Sequence, residues 1–208
     1  LMAYAIRDGI LLGITLATLF GFGPALLALV QTSIHRGFKA GISLAVGVFL
    51  SDLFLVLLSF EGVIQIVEQP KNKMAFGLMG GVILIVFGII TALRKARTEV
   101  DEIEVHNPRT ITYILKGFFL NVANPFIWIF WMGTMIAITS NYDQDEEAIL
   151  TMFATTLITV FMSDVLKSYL AGKLKSLLTI KLLTLINRIA GIGLIVFGIS
   201  LIIRAFLR

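Results

Sequence analysis

Two carboxylates in this 208-residue chain lie inside long apolar runs. Asp52 ends the segment Val48-Phe49-Leu50-Ser51-Asp52, and Asp164 ends Val160-Phe161-Met162-Ser163-Asp164. A carboxylate at the centre of a membrane-spanning helix costs about 2.5–3.5 kcal/mol on insertion scales, so it faces a bundle interior and has a purpose. Such a group can carry a proton or hold a substrate ammonium. For Asp164 a structural alternative stays open: Lys167, three residues on and on the same helix face, can neutralise it. Glu61 and Arg188 lie near span ends, where snorkelling accounts for them.

A second kind of chemistry comes from backbone breaks. Proline lacks an N–H and clashes with the carbonyl four residues back. Pro24, after Gly21-Phe22-Gly23, therefore frees the carbonyl of Phe20, and Pro125, after Asn121-Val122-Ala123-Asn124, frees that of Asn121. Beyond each break a half-helix begins, and its positive end suits an anion such as a carboxylate. Isolated proline kinks are common and need no ligand; a matched pair flanked by glycine and asparagine points to function.

The elements that must position these groups are membrane helices. Hydrophobic residues make up 58% of the chain and charged residues 14%, with mean hydropathy +0.96, outside the range of water-soluble domains. Disorder is excluded by the same numbers. The lack of cysteine excludes a disulfide framework, a Cys-ligated zinc site and a thiol nucleophile. Six stretches are long enough to span: Gly9–Ile34, Ala40–Val67, Met74–Leu93, Tyr113–Thr139, Glu147–Gly172 and Leu183–Ile203. Period-two alternation is absent, so the expected class is an all-α membrane protein. The first stretch is too long and too interrupted for a cleaved signal.

Three words recur in the same order at nearly one spacing. Gly81–Ile89 matches Gly191–Ile199, the Asp52 segment matches that of Asp164, and Gly23-Pro24 matches Asn124-Pro125. We expect six transmembrane helices as two three-helix repeats, residues 1–93 and 113–208, joined by a charged inner connector at 94–112. An odd number of spans per half inverts the second repeat, and inverted repeats with broken helices in matching positions mark secondary transporters. Gly77, Gly80, Gly81, Gly191 and Gly198 permit close helix contact, and the small-residue faces of the third and sixth helices could serve a homodimer.

Lysine and arginine set orientation. With the termini outside, Arg36, Lys39, Arg94, Lys95, Arg97, Arg109, Lys116, Lys173, Lys175 and Lys181 fall inside, while the acidic 141–147 loop falls outside. The net charge of +4 then reflects anchoring to the inner leaflet of the bilayer, not nucleic-acid binding, since no aromatic stacking platform accompanies it. His35 and His106 read as solvated loop residues, and Trp128, Phe130, Trp131 and Met132 as lipid-facing or interfacial packing. No Ser/His/Asp set, phosphate loop or metal-ligand spacing is visible, so neither an enzyme nor a bound cofactor is expected.

The motifs resemble a known family. Gly23-Pro24, His35-Arg36-Gly37-Phe38-Lys39-Ala40-Gly41, Gly47 and Asp52 look like the GP…RxGxxAG…G…D pattern of LysE/RhtB-type amino-acid exporters. Gly117-Phe118-Phe119-Leu120-Asn121-Val122-Ala123-Asn124-Pro125 is similar to that family's GFLxNLxNP signature. The resemblance covers nearly the whole chain. It implies a bacterial inner-membrane exporter of amino acids or related small amines, driven by proton or cation antiport. Members usually carry Thr-Pro-Gly-Pro and a polar residue at the first break, and often lysine after the second proline. Here Gly21–Ala25 and Phe126 stand instead, which opens the way to a less polar or unusual substrate.

The candidate substrate-binding set is Gly21, Gly23, Pro24, Asp52, Asn121, Asn124, Pro125 and Asp164. The expected partners are a small-molecule substrate and a coupling proton or cation. The alternatives are an ion channel or metal-ion exporter of the same superfamily, disfavoured for soft metals by the lack of Cys and embedded His, and a structural membrane subunit.

Overall fold

The computed structural model describes residues 2–20, 24–68, 73–94, 109–141, 145–177 and 179–206. Every regular element among them is helical. In chain order they are α1 (Met2–Thr15), a π-turn (Leu16–Phe20), α2 (Pro24–Arg36), α3 (Phe38–Glu68) and α4 (Lys73–Leu93). These are followed by α5 (Thr110–Val122), α6 (Pro125–Asn141), α7 (Glu146–Tyr169), α8 (Ala171–Leu177) and α9 (Ile180–Phe206).

Three helices are long and apolar enough to cross a membrane: Phe38–Phe60 within α3, Glu146–Tyr169 and Ile180–Ser200. These answer to the second, fifth and sixth expected spans. The fourth is a broken pair, Thr110–Val122 and Phe126–Met135, bent by 71°. The first expected span, Gly9–Ile34, is not one helix. It divides into α1, the π-turn and α2, because Pro24 cannot continue a helix and the π-turn has already shifted the hydrogen-bond register. In α4 the apolar stretch that qualifies by composition is Gly81–Leu93, shorter than a full span.

Local chemistry explains where elements start. Asp145 caps α7, its carboxylate accepting from the Ala148 N–H at 3.0 Å, and Glu146 and Glu147 complement the positive end of the dipole. Between α2 and α3 the chain turns through Gly37 at φ +88°, a left-handed conformation that only glycine adopts at little cost.

The contacts divide the chain into two compact units, Leu1–Ser59 with Glu99–Leu177, and Phe60–Thr98 with Leu178–Arg208. Each unit draws on both halves of the sequence.

In the first unit α1 lies along α7, and α3 lies along α5. A methyl group on Gly13 would fall 2.6 Å from Cβ of Thr159, and one on Gly9 2.7 Å from the Met152 carbonyl oxygen. Gly47 and Gly117 bring α3 and α5 together, backbone against backbone: Gly47 abuts the Ile114 carbonyl and Gly117 that of Leu44. At the end of α2, Ser33 and Ser168 share a hydrogen bond of 2.7 Å, with Gly41 packed against both hydroxyls.

The second unit is built around the pairing of α4 with α9. A methyl on Gly81 would fall 2.7 Å from the Gly198 carbonyl oxygen, and one on Gly198 2.7 Å from that of Gly81. Gly88 and Gly191 are related in the same reciprocal way, at 2.7 and 2.5 Å. The helices therefore run antiparallel, and the two copies of the repeated glycine word pack on each other. The small-residue faces considered for a homodimer are thus engaged within the chain, while Ile83, Val86, Ile90, Ile189, Ile192 and Val196 stay exposed.

Candidate functional site

The first unit holds a partly open cavity of about 50 Å³. Its polar lining is Asp52, Asn121, Asn124, Asp164 and Lys167. The remainder is aliphatic: Leu16, Ala17, Ala25, Leu26, Leu29, Val48, Ile127 and Val160. The wall draws on the π-turn and on α2, α3, α5, α6 and α7, with Asn124 in the link between α5 and α6.

Asp52 is 3% exposed, and its position is set by two donors on one oxygen. Asn121 donates its amide to Oδ1 at 2.8 Å, and the indole Nε1 of Trp131 donates to the same oxygen at 3.0 Å. The Asn121 amide also reaches Oγ of the preceding Ser51, at 3.1 Å. Both donors meet Oδ1, among the described residues nothing bonds Oδ2, and the Asp52 side chain lines the cavity.

Trp131 corrects the expectation that it faces lipid. It is fully buried, edge-on to Phe130 at 5.3 Å and tilted against Phe153 at 6.0 Å, with its N–H directed at Asp52. Its partner lies 79 residues away in sequence, on another helix. Trp131→Phe keeps an aromatic ring and removes the donor to a carboxylate, a loss worth about 1.5–3 kcal/mol. We expect a lower thermal midpoint in detergent, and an unchanged midpoint would show that the bond contributes nothing.

Asp164 is 9% exposed and pairs with Lys167, whose Nζ donates to Oδ1 at 2.9 Å. The neutralising partner read from the sequence is therefore present. Both side chains are still partly open, at 13% and 16%, and both line the cavity.

The second break is satisfied from within. The carbonyl of Asn121 accepts from the Asn124 N–H at 3.0 Å, and that of Val122 accepts from the Trp128 indole at 2.7 Å. At the start of α6, Pro125 has no N–H, Oδ1 of Asn124 accepts from the Phe126 N–H at 3.2 Å, and the Asn124 carbonyl accepts from Ile127 at 3.1 Å. Asn124 is an N-cap, so the expected freed carbonyl and open anion-binding end are both occupied by the chain itself. At the first break, Leu16 and Ala17 of the π-turn reach the cavity and α2 begins at Pro24. Gly21 and Gly23 lie outside the described residues.

The structure thus brings Asp52, Asn121, Asn124 and Asp164 to one cavity, with α6 starting at Pro125 beside it. It adds Trp131 and Lys167, neither of which the candidate set contained. Among the described residues no cluster of three or more His, Asp or Glu side chains could hold a metal ion.

The family model for LysE type translocators matches residues 16–205. An uncharacterized membrane protein of Pseudomonas aeruginosa, PA4757, is 30% identical over 124 residues, covering 55% of this chain and 55% of that protein. The uncharacterized membrane protein YahN of Escherichia coli is 24% identical over 145 residues, covering 68% of this chain and 64% of its own length. Each match spans less than two thirds of the relative's length. No solved structure matches.

Proposed function

This chain belongs to the LysE type translocator family, and we propose that it exports amino acids or related small amines across the bacterial inner membrane in exchange for a proton or another cation. Membership makes it a membrane transport protein. The observation that supports the finer reading is Asp52: a buried carboxylate in a spanning helix, with one oxygen anchored by Asn121 and Trp131, on the wall of the cavity. A carboxylate held in this way suits an ammonium group, and it suits a proton equally well. Competition between those two for one oxygen is the simplest coupling device, because each can occupy Asp52 only when the other has left.

Alternating access needs two arrangements of similar energy, and an inverted repeat supplies them. Several contacts support six spans built as such a repeat. Phe49 packs edge-on against its repeat counterpart Phe161 at 5.5 Å. Val48 and Val160 line the cavity together, as do Asp52 and Asp164. Counted from the paired prolines, Gly13 corresponds to Ile114; counted from the paired aspartates, Gly47 corresponds to Thr159. The contact of Gly13 with Thr159 then repeats as that of Ile114 with Gly47, which is what a pseudo-two-fold relation requires. The site departs from that symmetry where it matters. Asn121 corresponds to Phe20 and Lys167 to Leu55, so the two carboxylates are held by different partners. That asymmetry supports Asp52, not Asp164, as the group that takes the transported cation or proton.

Reconstitution into liposomes tests the reading. Labelled amino acids, small amines and inorganic cations are offered with and without an imposed proton gradient. Saturable counterflow of an amino acid or amine, accelerated by the gradient, is the expected result. Non-saturating conductance would establish a channel instead, and no flux of any solute would establish a structural subunit.

A further inference from the structure

We infer that Lys167 is a specificity-determining residue that holds the carboxylate of a zwitterionic substrate, so that the cavity selects aliphatic amino acids over amines of the same shape. The inference rests on the reading of Asp52 as the ammonium site and extends it to the other end of the substrate.

The geometry points there by two routes. First, a substrate carboxylate needs an anion-binding group, and the place expected for it is taken: Asn124 caps the start of α6 and Pro125 offers no N–H. Second, Lys167 is the one cationic residue in the described lining of the cavity. Its ammonium has three N–H donors, and one is engaged by Oδ1 of Asp164 at 2.9 Å. The Lys167 side chain is 16% exposed, on the same wall as Val160, while Asp52 reaches the cavity from α3. The cavity therefore presents an acceptor on one helix and a donor on another, the pattern that an α-amino acid complements.

Asp164 in this scheme holds the Lys167 ammonium in place while the cavity is empty. The rest of the lining is aliphatic, which matches an aliphatic substrate side chain.

Purified protein in detergent is titrated with L-alanine, L-valine and L-leucine, and with ethylamine, isobutylamine and isoamylamine, which lack only the carboxylate. Occupancy is read from tryptophan fluorescence in a Trp128→Phe background, where Trp131, whose indole bonds Asp52, is the emitter. The unsubstituted protein is expected to bind the amino acids at least tenfold tighter than the matched amines. Lys167→Met should erase that ratio while retaining amine binding, and Lys167→Arg should restore it. A merely structural ion pair would weaken both classes equally. Should Lys167→Met fail to fold, Asp164→Asn combined with Lys167→Met removes both charges at once and is read for the same ratio. Equal binding of both classes by the unsubstituted protein, or a ratio that survives Lys167→Met, overturns the inference and leaves amine export standing. Binding of neither class overturns both readings.

Discussion

Asp52→Asn is expected to lower uptake at sub-saturating substrate by roughly 100-fold or more, in a protein that still folds and inserts. The substitution changes little besides charge. Asparagine has the same shape, and its carbonyl oxygen can still accept from Asn121 and Trp131, so the bonds at 2.8 and 3.0 Å that position the side chain survive. Removing a fully buried carboxylate also relieves the cost of keeping a charge out of water. Stability in detergent should therefore be equal or higher. What disappears is the acceptor offered to the cavity, and breaking one buried hydrogen-bonded charge pair costs about 2–5 kcal/mol. At about 1.4 kcal/mol per factor of ten, the middle of that range gives the stated loss. The residual flux should no longer respond to an imposed proton gradient, because asparagine has no proton to exchange. Counterflow in liposomes with and without the gradient, on protein matched for thermal midpoint, reads both effects. Full gradient-dependent transport by Asp52→Asn would remove Asp52 from the mechanism.

The parts of this site that a sequence can reveal are those whose oddness is local. Asp52 stands out because a carboxylate does not belong in an apolar run, and Asn121 and Asn124 because they flank a proline within another. The aspartate and glycine words are local in the same sense, and they are what points to a repeat. Trp131 was not, since a tryptophan among Phe130 and Met132 matches its surroundings, and only the fold shows that its N–H meets Asp52 on another helix. Lys167 was visible, but only as a neutraliser of Asp164. Its exposure to the cavity depends on how α7 faces α3, which no helical periodicity within α7 determines. The second break misled in a different way. Proline does leave backbone groups without their usual partners, but which group then fills the gap is a local contest, and here the Asn124 and Trp128 side chains take the positions that a ligand might have held. The mixing of the two sequence halves within each compact unit is a tertiary outcome as well, decided by which glycine faces meet.

Gly117→Leu is expected to eliminate folded protein altogether, and even Gly117→Ala to disable it. α3 and α5 approach so closely that a methyl group on Gly117 would collide with the Leu44 carbonyl, and one on Gly47 with that of Ile114. Both obstacles are backbone, which cannot rotate away as a side-chain tip would, so the helices must separate. Overpacking of this kind costs about 1–3 kcal/mol before any further bond is lost. Here a further loss follows directly. Asn121 lies one turn beyond Gly117, and Ser51 and Asp52 lie one turn beyond Gly47, so parting the helices pulls the Asn121 amide from the carboxylate it holds at 2.8 Å. Losing that charge-assisted bond adds about 1.5–3 kcal/mol. The total is a large share of the 5–15 kcal/mol that typically holds a protein folded. Gly133, in α6, has no atom within 4 Å of where a methyl would go, and Gly133→Ala should be neutral. Size-exclusion profiles and thermal midpoints of the three variants in detergent separate the cases. A monodisperse Gly117→Ala that transports normally would mean that the α3–α5 crossing does not hold the site in place.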